Sequence, residues 1–200
     1  MNKATEALVF PGMFPGAKLM LPEFSIGSSR FDFMIVDSAG LRHLVEVKSC
    51  SLVEHGVAMF PDAPSLRASR HLGELARLAG QGYQCHVLFM IAHGHSQRLV
   101  PNIHTDPAFA VALSLAADFI DIRAAEIRLD ERGRATLARD EVPVDLSYSS
   151  LAGQTSPQNQ EGQALAPGLS DTSRHQYGGL AGGFRKEPGV RTGKGHTLHR

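Results

Sequence analysis

Two hundred residues are enough for one medium domain, or a smaller one with an extension. Lys plus Arg and Asp plus Glu number 20 each, so the formal net charge is zero and charge alone would not hold the chain on nucleic acid. No apolar run approaches the roughly 20 residues of a transmembrane helix. The opening MNKATEALVFPGMFPG is interrupted by Pro11, Gly12, Pro15 and Gly16 before a signal-peptide core could form. Cys50 and Cys85 cannot make a disulfide framework, so the expected address is a reducing cytoplasm, with no membrane partner.

Residues 18–26 (KLMLPEFSI) read as extended, with Pro22 marking an edge or a bend. FDFMIV (31–36) and LRHLVEVKS (41–49) read as strands. PSLRASRHLGELARLA (64–79) predicts a helix with Pro64 in its first turn, Gly80 after it, and an apolar stripe of Leu72, Leu75, Ala76, Leu78 and Ala79. CHVLFMIA (85–92) is a buried strand, and Asp106-Pro107 starts an apolar helix that runs to about Ala117. FIDIRAAEIRL (119–129) and RATLA (134–138) are strands around the turn Asp130–Gly133. An opening meander followed by alternating strands and helices predicts an α/β domain, a mixed β-sheet flanked by helices, over residues 1–146.

The rest of the chain, 147–200, is Gly/Ser/Gln-rich. Residues 151–200 hold 10 of the 20 glycines and a surplus of three positive charges. Such a segment cannot bury enough apolar surface to offset its ordering entropy, so it is expected to be a disordered, solvated tail.

The most informative stretch is SRFDFMIVDSAGLRHLVEVKS, residues 29–49. A three-residue loop ending in a left-handed Gly40 would pair Asp37 with Leu41 and set Asp32 opposite Glu46. Period-two alternation then puts Asp32, Met34, Val36, Leu44, Glu46 and Lys48 on one face. Two facing carboxylates destabilise a sheet unless compensated, and a divalent cation with oxygen ligands, Mg²⁺ or Mn²⁺, would do so. From spacing alone, a solvated face with a cross-strand ion pair is the commoner meaning of such a pattern. On the 64–79 helix, Arg67, Arg70, His71 and Glu74 are expected on the face opposite the leucines. His93, His95 and His104 lack the cysteine partners and spacing of structural zinc. Cys85 reads as core, and Cys50 has no base nearby to make it a nucleophile.

Ser29-Arg30-Phe31-Asp32-Phe33, Val45-Glu46-Val47-Lys48-Ser49, Gly56-Val57-Ala58-Met59-Phe60-Pro61-Asp62-Ala63, Arg67, His71-Leu72 and Glu74-Leu75 follow one another in a characteristic order. With Pro101-Asn102, Asp106-Pro107 and Val142-Pro143-Val144-Asp145-Leu146, this order resembles the sugar fermentation stimulation protein family over residues 15–146. The resemblance implies an N-terminal OB-like domain followed by a restriction-endonuclease-like core of the PD-(D/E)xK class, and a link to nucleic-acid binding and to sugar (maltose) metabolism. It implies Asp32, Glu46 and Lys48 as the D…ExK triad, with Asp32 and Glu46 holding Mg²⁺ or Mn²⁺ and Glu23 as a third or water-mediated ligand. Lys48 would orient the attacking water or stabilise charge on phosphorus. Arg30, Arg67 and His71 would contact nucleic acid, DNA or RNA.

Three features depart from the family pattern. The OB-like domain is missing from this sequence, Leu66 and Ala68 stand where a Glu and a Gly are usual, and the tail after 146 is extra. The expected activity is a Mg-dependent DNA/RNA phosphodiesterase. The alternatives are a non-catalytic DNA-binding regulator of sugar metabolism or a truncated inactive relative. A homo-oligomer or a separate OB-like partner chain stays open.

Overall fold

A computed structural model describes residues 1–92 and 95–147; the expectations for the tail from residue 148 and for His93 lie outside the described residues. The chain begins with two short helices, α1 (Asn2–Leu8) and α2 (Phe10–Met13). An antiparallel meander follows: β1 (Leu19–Ile26), β2 (Ser29–Val36) and β3 (Arg42–Cys50). Strands β4 (Leu52–Glu54) and β5 (Val57–Phe60) lead to α3 (Leu66–Ala79) and β6 (Gln84–Ile91). Then come β7 (Arg98–Pro101), α4 (Pro107–Ala116), β8 (Asp121–Leu129) and β9 (Ala135–Arg139). The main sheet has the order β1-β2-β3-β6-β8-β9, and β4-β5-β7 form a second, three-stranded sheet.

The main sheet is mixed. Its centre is parallel, β3 beside β6 beside β8, and antiparallel strands flank it on both sides. Parallel strands need cover on both faces and read as near-continuous apolar runs, which QCHVLFMI in β6 illustrates. One face packs Leu44, Val87, Phe89 and Ala124 against Leu72, Leu75 and Leu78 of α3 and Phe109 and Leu113 of α4. The other packs Phe33, Ile35, Val45, Leu88 and Met90 against Val9, Phe10 and Phe14. The expected α/β class with a mixed sheet between helices is therefore present.

The N-terminal segment is interrupted as its prolines and glycines predict, into helices of seven and four residues, with Gly16 at φ 72° beyond them. Pro11 lies in the first turn of α2, where no N–H is required, and Phe10 and Phe14 on either side are buried. The second sheet was not foreseen, because runs of three or four residues give too little alternation to read.

The helix starts explain how α3 and α4 are placed. Pro64 precedes the helix rather than opening it; Ser65 is the N-cap, its Oγ accepting the Ala68 N–H at 3.2 Å. Asp106 caps α4 as expected, Oδ1 accepting the Phe109 N–H at 2.9 Å. Its Oδ2 accepts the Ser65 N–H at 2.8 Å, so one buried carboxylate fixes the starts of both helices. Cys50 and Cys85 are buried and unpaired, and burial pushes their thiols up to about 11 and about 12. Neither is a nucleophile at neutral pH.

Candidate active site

The β2–β3 hairpin closes as its turn chemistry requires. Gly40 has φ 89°, the Asp37 N–H donates to the Leu41 carbonyl at 3.1 Å, and Asp37 Oδ1 accepts the Ala39 and Leu41 N–H groups. The register runs Val36↔Arg42, Ile35↔His43, Met34↔Leu44 and Phe33↔Val45, the spacing expected from the loop. It stops one rung short of Asp32 and Glu46.

The reason is visible in the alternation. Phe31 and Met34 belong to the α3 side of the sheet, whereas Phe33 and Ile35 belong to the α2 side, so β2 changes face at Asp32. Strand β1 changes face at the same level. Glu23 sits between the pairs Pro22↔Phe33 and Phe24↔Phe31 with a left-handed φ of 53°. Freed from the ladder, the Asp32 carboxylate accepts the Asn2 side-chain N–H of α1 on Oδ1 and the Val47 backbone N–H on Oδ2, both at 2.8 Å. The two carboxylates are therefore not abutted across one rung of the ladder. Asp32 lies instead beside the Glu46–Val47 peptide.

Glu46 points to the α3 side and is buried. Its Oε1 accepts the Lys48 ammonium at 2.7 Å and faces Nδ1 of His71 at 2.8 Å. A carboxylate only accepts, so that nitrogen carries a proton. Among the described residues no hydrogen bond falls on Glu46 Oε2. Lys48 is itself 16% exposed, which makes this a water-poor ion pair rather than a solvated one.

His71 is the main correction to the helix reading. It is 4% exposed and lies on the buried stripe of α3 with Ala68, Leu72, Leu75 and Leu78, not on the polar face with Arg67 and Arg70. Its place is readable in the spacing: 68, 71, 72, 75 and 78 recur at three- and four-residue steps, a stripe that apolar residues alone do not complete. Buried against Glu46, it orients that carboxylate and cannot contact a phosphate chain. Arg67 and Arg70 are exposed on the outer face.

Glu23 does not complete a three-carboxylate set. Its side chain is 69% exposed, 3.8 Å from the Arg30 guanidinium, which is likewise exposed. Among the described residues no group of three or more His, Cys, Asp or Glu side chains is arranged around a common metal position. The donors that remain are Asp32 and Glu46. Two carboxylates suit Mg²⁺, which keeps several waters and is commonly bound through one or two carboxylates plus phosphate oxygens. Each Asp32 oxygen has one hydrogen bond and a second lone pair, and Glu46 Oε2 is unclaimed, so both carboxylates keep acceptor capacity for a cation.

A mixed sheet between helices, with a carboxylate–ammonium pair on its third strand, defines an α/β protein with a polar site at the β2–β3 junction. Residues 1–133 match the family model described as the sugar fermentation stimulation protein RE domain, and the chain belongs to that family. A sugar fermentation stimulation protein homolog of Desulforamulus reducens is 48% identical over 96 residues, 48% of this chain and 40% of that protein. The homolog of Pyrobaculum arsenaticum is 36% identical over 148 residues, 73% of this chain and 63% of its own. The solved structure of Pyrococcus furiosus SfsA in complex with Ca²⁺ superposes with a TM-score of 0.64 at 32% identity, covering 72% of this chain and 62% of that one. The chain thus spans less than two thirds of the length of these relatives.

Proposed function

We propose that this chain is a divalent-metal-dependent phosphodiesterase of the restriction-endonuclease-like type, acting on nucleic acid. The observation that carries the reading is the Lys48 ammonium held 2.7 Å from Glu46 Oε1 in a water-poor position, with the Asp32 carboxylate on the adjoining Val47 amide. A solvated ion pair would not need a buried carboxylate or a third group, His71, on the same oxygen. The description of the P. furiosus relative as a Ca²⁺ complex points to the same oxygen-donor chemistry.

Asp32 and Glu46 would hold Mg²⁺ or Mn²⁺, which when bound polarises a phosphate and acidifies water. Lys48 orients the nucleophilic water and stabilises charge on the phosphoryl oxygens. His71 is a positioning residue: it holds Glu46 in one rotamer. Asn2 does the same for Asp32. Among the described residues no helix is long and apolar enough to cross a membrane, and two free buried thiols suit a reducing compartment such as the cytoplasm.

The binding half of this reading is tested by titrating Mn²⁺ into the full chain, by calorimetry or water-proton relaxation. Glu46→Gln should lose most of the affinity, and Asp32→Asn likewise. Equal affinity in wild type and both variants would reduce the site to an ion pair.

Arg67 and Arg30 are exposed cations suited to phosphate contact. Arg67→Ala should weaken nucleic-acid binding similarly across sequences and lower the salt slope by about one. Stability should change by less than about 0.5 kcal/mol, since the side chain is exposed. Fluorescence anisotropy over a salt series reads this; an unchanged slope would remove Arg67 from the interface.

A further inference from the structure

A second titratable cluster lies at the opposite ends of the parallel strands, in a cleft of about 310 Å³ lined by Phe14, Asp37, His43, His86 and Arg123. His43 opens β3 and His86 opens β6. Nδ1 of His43 is 3.0 Å from Nε2 of His86. On their far sides, Nε2 of His43 is 3.2 Å from Asp37 Oδ2, and Nδ1 of His86 is 3.0 Å from Asp121 Oδ2. Asp121 also accepts the Arg123 Nε–H at 2.6 Å. The cluster is thus a chain of carboxylate, imidazole, imidazole and carboxylate, closed by a guanidinium.

Each carboxylate can only accept, so each outer imidazole nitrogen carries a proton. Two neutral rings would then be left with lone pairs facing each other at 3.0 Å, which is repulsive. A third proton between the inner nitrogens turns that contact into a hydrogen bond. We infer that His43 and His86 share one proton across this contact, carry a single positive charge between them, and form a latch that fastens the N-terminal segment to the sheet.

The geometry fits a proton and not a chelated metal ion. The ring centroids are 5.2 Å apart for nitrogens 3.0 Å apart, so both ring radii lie almost along the N···N line, with the planes at 28°. A metal bound by both nitrogens would draw the rings into a V.

The fastening is Phe14, which follows α2. Its ring meets His43 edge-to-face at 4.9 Å and His86 at 5.5 Å, within cation–π range of a charged pair. The charged groups facing the pair are Asp37 from the hairpin, and Asp121 and Arg123 from β8. Burial pushes Asp37 up but is outweighed by the His43 hydrogen bond and the Leu41 and Ala39 amides, so it lies below the usual carboxylate value. The His86 hydrogen bond, aided by Arg123, holds Asp121 below its usual value despite burial. Both carboxylates remain charged acceptors through the neutral range, and one shared proton balances the cluster.

Two measurements on the full chain decide it. In ¹⁵N-histidine NMR near pH 6.5, the wild type should show three N–H groups on the four ring nitrogens and a scalar coupling between His43 Nδ1 and His86 Nε2. Two neutral rings without coupling would overturn the inference. Urea unfolding of wild type, His43→Asn, Phe14→Leu and the double variant should give losses that do not add, because both changes open the same contact. Fully additive losses would also overturn it. If His43→Asn does not fold, the NMR measurement on the wild type stands alone. Neither readout uses metal or nucleic acid, so neither depends on the proposed activity.

Discussion

Lys48→Ala should lower metal-dependent phosphodiester cleavage by 10²-fold or more, the order expected for removal of one preorganised electrostatic group. Metal affinity should stay close to wild type, because an ammonium is not a ligand and Asp32 and Glu46 remain. The ion pair that Lys48 leaves behind is largely buried, so the variant also loses about 1–3 kcal/mol of stability, more than an exposed pair would cost. His71 still donates to Glu46 Oε1, which keeps the carboxylate partnered and the loss below that of an orphaned buried charge. Single-turnover cleavage by wild type and variant, with Mn²⁺ affinity measured alongside, separates the two roles. A variant that cleaves normally would show that Lys48 only neutralises Glu46.

Asp106→Ala has the largest expected effect on stability, about 2–4 kcal/mol. One carboxylate serves two helices: it caps α4 through Phe109 and anchors the start of α3 through the Ser65 N–H. Loss of an N-cap costs about 1 kcal/mol, and a second buried N–H left without an acceptor adds about 1–3 kcal/mol. Asp106→Asn should recover part of the loss, since its amide oxygen still accepts one of the two bonds. Urea unfolding reads both variants. Because α3 carries His71 to Glu46, Asp106→Ala should also weaken metal binding at temperatures where the protein is still folded. A loss below about 0.5 kcal/mol would mean water replaces both bonds without penalty.

The elements read most securely from the sequence were those whose local chemistry is sufficient in itself. Gly40 in a left-handed turn set the hairpin register, Asp106-Pro107 opened α4, and the apolar run of β6 announced a strand covered on both faces. The errors have a common source in tertiary contacts. Pro11 and Gly12 do keep the opening helices short, but nothing local shows that Phe10 and Phe14 cover one face of the sheet. Strict alternation carries the ladder on through Asp32, whereas Asn2, thirty residues away, and the Val47 N–H take its carboxylate one rung beyond the last pair. His71 looked like surface because its polarity was read without the buried Glu46 that satisfies it. The His43–His86 contact joins residues 43 positions apart on neighbouring parallel strands, a pairing that no spacing in the sequence reveals.

The glutamate and lysine on β3 were legible, and so was their proximity on one face. Their burial was not, and burial is what distinguishes a poised pair from a solvated one. It arises from α3 packing over the strand, through a histidine that a helical wheel of apolar residues leaves out.

The proposed site of Asp32, Glu46 and Lys48 has metal-dependent phosphodiester cleavage as its signature. The most direct measurement is cleavage of labelled single- and double-stranded DNA and RNA by the full chain, with Mg²⁺ or Mn²⁺ and with chelator, beside Glu46→Gln. Cleavage of at least one substrate that needs the metal and disappears in Glu46→Gln is the predicted result. A wild-type rate equal to buffer for every substrate and both metals, or equal rates in wild type and Glu46→Gln, would contradict it.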